Sequence, residues 1–250
     1  MKNLILAFAL LLGIGCFSQA NLKLSQDLGN IKVWEMSSNN TSLGEVYTLE
    51  KNANCILVFS PTNNDIANAL LVMTGTYTST TNQVAGFAYN ANGKNIGDQT
   101  DGFAKKANSY LIFQNGIFSF SDVPATNSIQ VYKLLENGSI LSDVVNARTK
   151  NQFQWRFLVQ KNWTRVYDNG KQEKGVDLLI VDFSPALTLN QACAYVKDLE
   201  RNQKYQNFHY ESNITACLLD TGMNYPFLLD DKNIHGTFSV AEQSNVIVVK

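Results

Sequence analysis

The pair Asn115-Gly116, set between the runs 109–113 and 117–120, is the feature that most restricts how this chain can fold. Asn-Gly readily takes the positive φ that two-residue hairpin turns require, so the runs on either side are expected to pair antiparallel as neighbours. A second hairpin is read from the strand 86–89 and the turn 90–94, where Gly93 supplies the positive φ. The segment 129–145, interrupted at Asn137-Gly138, fits either another strand and turn or a short helix. Short strands joined by tight turns point to an antiparallel or mixed sheet.

Between these turns lie continuous apolar runs. Residues 54–59 are apolar with β-branched content and end at Ser60-Pro61, the pattern of a buried strand. Residues 67–73 are a second such run, which stops at Thr74-Gly75-Thr76-Tyr77. The runs 153–159, 177–182, 213–220, 238–240 and 245–249 are further strand candidates, and 177–182 is apolar between two acids, which implies burial on both faces. Residues 31–36 form a short alternating strand in an Asn- and Ser-rich stretch read as the domain edge. One helix is well marked. Thr188 with Gln191 three residues later forms a capping box, and Ala192, Cys193, Val196 and Leu199 recur at helical spacing, so a helix is predicted to about Arg201 with one face on the sheet.

The N-terminus reads as a targeting segment: Lys2, then the apolar run 4–14, then Ser18-Gln19-Ala20 as a cleavage site. Residues 1–20 are expected to leave as a signal peptide, and 21–250 to form one exported domain, secreted or periplasmic. Cys16 opens the alternative of a lipoprotein, although Gly13 stands where a lipobox has leucine. No other apolar run approaches the length of a membrane span. With 45% hydrophobic residues and 16% charged, the chain can bury one sizeable core, and its net charge of -1 gives no reason to expect nucleic acid or an anionic membrane as partner.

After cleavage three cysteines remain: Cys55, Cys193 and Cys217. Cys193 and Cys217 could pair, but each sits in an apolar pattern where a reduced cysteine packs as a small hydrophobe, and that reading is preferred. His209 and His235 are the only histidines, and neither has a second ligand at motif distance, so no metal site is expected. No Ser or Cys nucleophile motif, P-loop or dinucleotide fingerprint occurs, and the sequence indicates no particular cofactor.

Asp220 is the residue that calls most for explanation. It ends the apolar strand of residues 213–219 and precedes Thr221-Gly222-Met223-Asn224, so it is placed at the exposed end of a buried strand. This passage resembles the "LDGGGS" signature of the phosphodiester glycosidase family, with Asp220 kept, Thr221 and Met223 standing where that family has glycine, and Asn224 where it has serine. Residues 70–77 resemble the family's "NGG" strand and turn, with Gly75 kept and Thr74 and Thr76 replacing Asn and Gly. The segments 84–94, 110–120, 178–199 and 246–249 follow the same order, so the resemblance spans most of the chain from about residue 70.

The resemblance implies a single mixed α/β (α+β) domain, a twisted mixed sheet carrying few packed helices. It implies hydrolysis of sugar-1-phosphodiesters such as N-acetylglucosamine-1-phosphodiester. Asp220 would supply a carboxylate, Arg165 a planar fork for phosphate, and Thr74, Gly75, Thr221, Gly222 and Asn224 the substrate-binding turns. The altered glycines leave an alternative: a non-catalytic descendant that binds glycan or protein through the same cleft. Trp155, Trp163, Tyr167 and Tyr225 could stack on sugar rings or pack in the core.

Overall fold

The computed structural model describes residues 20–79, 81–141, 152–200, 202–220, 227–230, 232–236 and 239–250. In chain order these form β1 (Asn21–Asp27), β2 (Ile31–Ser38), β3 (Thr41–Leu49), β4 (Cys55–Phe59), the short helix α1 (Asn63–Ile66), β5 (Leu71–Thr74), β6 (Ala88–Tyr89), β7 (Ser109–Gln114), β8 (Ile117–Ser121), β9 (Ser128–Glu136) and β10 (Ser139–Ile140). There follow β11 (Gln152–Phe153), β12 (Arg156–Tyr167), β13 (Gln172–Phe183), β14 (Leu187–Thr188), the helix α2 (Leu189–Lys197), β15 (Asn202–Lys204), β16 (Phe208–Leu218), β17 (Phe227–Leu229), β18 (Lys232–His235) and β19 (Asn245–Val249). Among the described residues strand makes up 54% and helix 8%, so the expectation of a mixed α/β fold is corrected to a β protein.

The large sheet runs β1-β2-β3-β13-β12-β16-β9-β7-β8, with β6 and β10 added to β9 and β15 to β16; the smaller sheet runs β18-β17-β5-β19-β4. The strand pairs of both sheets are antiparallel, and among the described residues a parallel contact appears only as the isolated bridge between Ala85 and Asp98. The mixed α/β expectation came from the family resemblance, and the burial read for residues 177–182, which the structure shows, does not separate the two classes. Burial on both faces is the mark of a parallel sheet between helix layers, but an antiparallel strand between two other layers reads the same way.

Those layers are visible in the core. Ile31, Val33, Tyr47, Leu158, Ile180 and Cys217 of the large sheet pack against Leu71, Met73, Phe227, Ile247 and Val249 of the smaller one. On the opposite face Met36, Val46, Phe157, Val159, Val181 and Leu218 pack against Leu189, Ala192, Cys193 and Val196 of α2. The alternation along β12, with Phe157 and Val159 on one side and Leu158 on the other, is the period-two pattern of a strand in the middle layer.

Other local expectations meet mixed outcomes. The Asn115-Gly116 hairpin joins β7 to β8, and both residues have positive φ. Residues 129–140 form the hairpin β9–β10 rather than a helix, and 142–151 lie outside the described residues. The capping box at Thr188 is present, but α2 stops at Lys197 rather than near Arg201. The N-terminal stretch read as the domain edge forms β1-β2-β3 at one edge of the large sheet, with the 31–36 strand second from the outside. In place of a strand around Phe238–Val240, the described part begins a 3-10 turn at Val240, and the expected export segment lies outside the described residues. No helix among the described residues is long and apolar enough to cross a membrane.

Cys55, Cys193 and Cys217 are buried and free, so the expected reduced packing is found and the Cys193–Cys217 pairing is not. Burial pushes the thiols of Cys55 and Cys193 up to about 12 and raises that of Cys217 as well. In the chain cleaved after Ala20, a thiol reagent at neutral pH should find no reactive cysteine in the native protein and all three after unfolding in denaturant. Rapid native labelling would contradict this packing.

Candidate functional site

Asp220 follows the apolar run 213–219, two residues past the end of β16, and at 3% exposure it is buried rather than at the exposed strand end that was expected. Its backbone N–H donates to the carbonyl of Gly75 at 2.9 Å, and the N–H of Leu219 donates to the carbonyl of Arg156 at 3.0 Å. The end of β16 is thereby stitched to the turn that follows β5, so Asp220 and Gly75 are neighbours. Thr221, Gly222 and Asn224, with Met223 and Tyr225, lie outside the described residues.

The turn at residues 74–76 is organised by a side chain that sequence reading did not single out. Asn245, fully buried, donates its amide to the carbonyl of Thr76 at 3.0 Å and accepts the Thr76 N–H on Oδ1 at 2.9 Å. A Cβ on Gly75 would fall 2.0 Å from that Oδ1. Glycine is therefore required at position 75 by the close approach of Asn245. Thr74 is buried, with its hydroxyl 3.4 Å from Gln243.

Directly after this turn, from Tyr77 on, a cleft opens. It encloses about 340 Å³ and is lined by Tyr77, Thr78, Ala85, Asp101, Gly102, Phe103, Lys106 and Tyr132. Three rings form its wall: Phe103 lies 4.6 Å from Tyr132 and 5.2 Å from Tyr77, and Tyr77 lies 6.3 Å from Tyr132. Tyr132 is the register partner of Leu218, so the cleft adjoins the strand end that carries Asp220. The loop bearing Phe103 is fixed to β9 by the buried Gln130, whose amide nitrogen donates to the carbonyl of Ala104 at 3.2 Å and whose oxygen accepts from the N–H of Phe87 at 3.1 Å. Asp101 Oδ1 accepts the N–H of Phe103 at 2.8 Å and closes the turn.

Behind the Asp220 strand end is a buried ion pair. Arg156, 3% exposed, donates from Nε to Asp182 at 2.9 Å, and its guanidinium lies 4.2 Å from the centre of the Phe227 ring. Tyr47, edge-on to Phe227, donates its hydroxyl to Glu45, and burial together with that carboxylate raises its phenol far above the ordinary value. A buried charge pair of this kind holds strands in register, since breaking it strands a charge in the core. The legible signal for Arg156 was an arginine opening the otherwise apolar run 156–159.

Arg165 does not join Asp220. It lies near the far end of β12, opposite Tyr210, whereas Phe157 is opposite Leu218; at about 3.3 Å per residue the separation along the strand is roughly 25 Å. The outer parts of β12, β13 and β16 form an arm, edged by β15, whose side chains are half or fully exposed on both faces. One face carries Trp163, Arg165 and Tyr167 beside Phe208 and Tyr210. His209 sits on the other face, 2.9 Å from Glu211. Trp155, by contrast, is a core residue whose indole donates to the carbonyl of Leu187 at 2.7 Å.

Among the described residues no cluster of His, Cys, Asp or Glu is arranged to hold a metal ion. Comparison of the chain with family models and with curated proteins gives no match. The cleft residues Phe103, Lys106 and Tyr132 carried no local sequence signal, because they come from separate loops and strands that only the sheet pairing brings together.

The Asn245 clamp makes a direct prediction. Asn245→Ala leaves the N–H and carbonyl of Thr76 without their buried partner and should cost about 2–4 kcal/mol in a urea titration. Gly75→Ala should cost a comparable amount, because the added methyl displaces Asn245. Wild-type stability in both variants would remove the clamp from the account.

Proposed function

We propose that this chain is an exported glycan-binding protein, a non-catalytic relative of the phosphodiester glycosidases that takes a sugar ring in the cleft walled by Tyr77, Phe103 and Tyr132. The aromatic cleft beside the Asp220 strand end carries this reading. Aromatic faces cover the apolar face of a pyranose ring, and polar groups at the rim bind its hydroxyls. Asp101 and Lys106 lie in the lining and serve as those groups. Two features weigh against catalysis. Asp220 is buried to 3% exposure, and the cation assigned to phosphate, Arg165, lies roughly 25 Å away along the strand.

Hydrolysis of sugar-1-phosphodiesters is the second reading, favoured by the meeting of Asp220 with Gly75. The two readings separate cleanly in experiment. On the binding reading, calorimetry with a panel of neutral oligosaccharides finds a ligand, and Lys106→Ala and Tyr77→Ala each weaken it about tenfold or more, near 1.4 kcal/mol. No turnover of N-acetylglucosamine-1-phosphodiester is expected across pH or with added divalent cations. Turnover by the wild type that disappears in Asp220→Asn would overturn the binding reading in favour of the hydrolase.

A further inference from the structure

The outer arm of the large sheet carries a feature that core packing does not require. Trp163 lies flat on its neighbour strand: a Cβ on Gly175, its register partner, would fall 2.3 Å from the indole ring. The indole nitrogen donates to Asp177 at 2.9 Å, which fixes the ring's orientation, and the ring stacks beside Tyr210 at 6.2 Å and 24°. Farther out Tyr205 stacks on Phe208 at 4.6 Å. A glycine under a tryptophan is a device for laying an aromatic flat against a sheet.

Arg165 lies between these rings, its guanidinium carbon 4.9 Å from the centre of Trp163 and 5.8 Å from that of Phe208. It forms no salt bridge among the described residues, and its shielded Nε makes no hydrogen bond. The nearest acid by register is Glu173, directly across from it, but one oxygen of Glu173 accepts from Lys171 at 2.8 Å and the other from the Tyr167 hydroxyl at 2.8 Å. Asp177 is engaged by Trp163. The face thus holds a guanidinium beside aromatic rings that feels the charge of Glu173 but, among the described residues, makes no salt bridge with a carboxylate. A planar fork of this kind matches a carboxylate, and the rings beside it match the face of a sugar.

We infer that the arm is a second binding site, specific for acidic polysaccharide: a chain of carboxylate-bearing sugar rings lies along Trp163 and Tyr210 with one carboxylate on Arg165. This rests on the glycan-binding reading and specifies the class of glycan. Because the site is exposed, its charge contribution is screened by salt.

The test uses the purified protein, with calorimetry and affinity electrophoresis on polygalacturonate and on the same polymer after methyl esterification, which keeps the rings and removes the charge. The expected result is binding to polygalacturonate that weakens at least tenfold on esterification and falls as sodium chloride is raised. Arg165→Gln should lose at least tenfold on polygalacturonate while the neutral oligosaccharide bound in the cleft is held as before; Arg165→Lys should recover only part of the loss, since it restores charge without the fork. Equal binding of the two polymers, or an unchanged Arg165→Gln, overturns the acidic specificity while leaving glycan binding in the cleft intact. Binding of dextran sulfate or a single-stranded oligonucleotide in preference to polygalacturonate overturns it too. Failure of the wild type to bind any glycan, neutral or acidic, removes the parent reading as well.

Discussion

The structure depends on the register of one strand. β12 pairs with β13 along one edge and β16 along the other over nearly its whole length, so its position fixes both neighbours. Its first residues run through the middle layer, where Phe157 and Val159 face α2 and Leu158 faces the smaller sheet. A slip of one residue would turn these side chains to the wrong layers at once. The buried pair of Arg156 with Asp182, which are opposite one another in the same register, adds a charge penalty to any slip.

The same strand then leaves the core and becomes the arm. Alternation continues unbroken, so the face that packed on α2 becomes, farther out, the face that bears Trp163, Arg165 and Tyr167. With no second layer among the described residues to cover it, the arm is held by its ladder hydrogen bonds and by cross-strand ring and cation contacts, each worth about 0.2–1 kcal/mol. A rigid core strand that continues into an exposed ribbon presents its side chains with little freedom, which suits a binding surface better than a loop would.

At the other end of β12 the cleft and the Asp220 strand end are built by three connections of great sequence separation. Asp220 reaches Gly75, Asn245 reaches Thr76, and Gln130 holds the loop that carries Phe103. Each uses a buried polar group whose partner is backbone, so each is costly to leave unmade and therefore specific. Such bonds explain why residues chosen for a ligand by family position, Gly75 above all, also answer to packing.

Much of the local structure was legible in the chain alone. The Asn115-Gly116 hairpin, the strand of residues 177–182, the capping box at Thr188 and the buried reduced cysteines follow from turn chemistry, apolar periodicity and capping, all of which act between residues close in sequence. The layer arrangement did not follow, because a strand buried on both faces does not record whether a helix or a second sheet covers it. Nor did the site. Asp220 and Gly75 were found from their own neighbours, but Asn245, Phe103, Tyr132 and Arg156 join them through pairings across the sheets, and Arg165 is carried away by the length of β12. Those distances are set by strand register, a property of the assembled sheets that local sequence spacing does not contain.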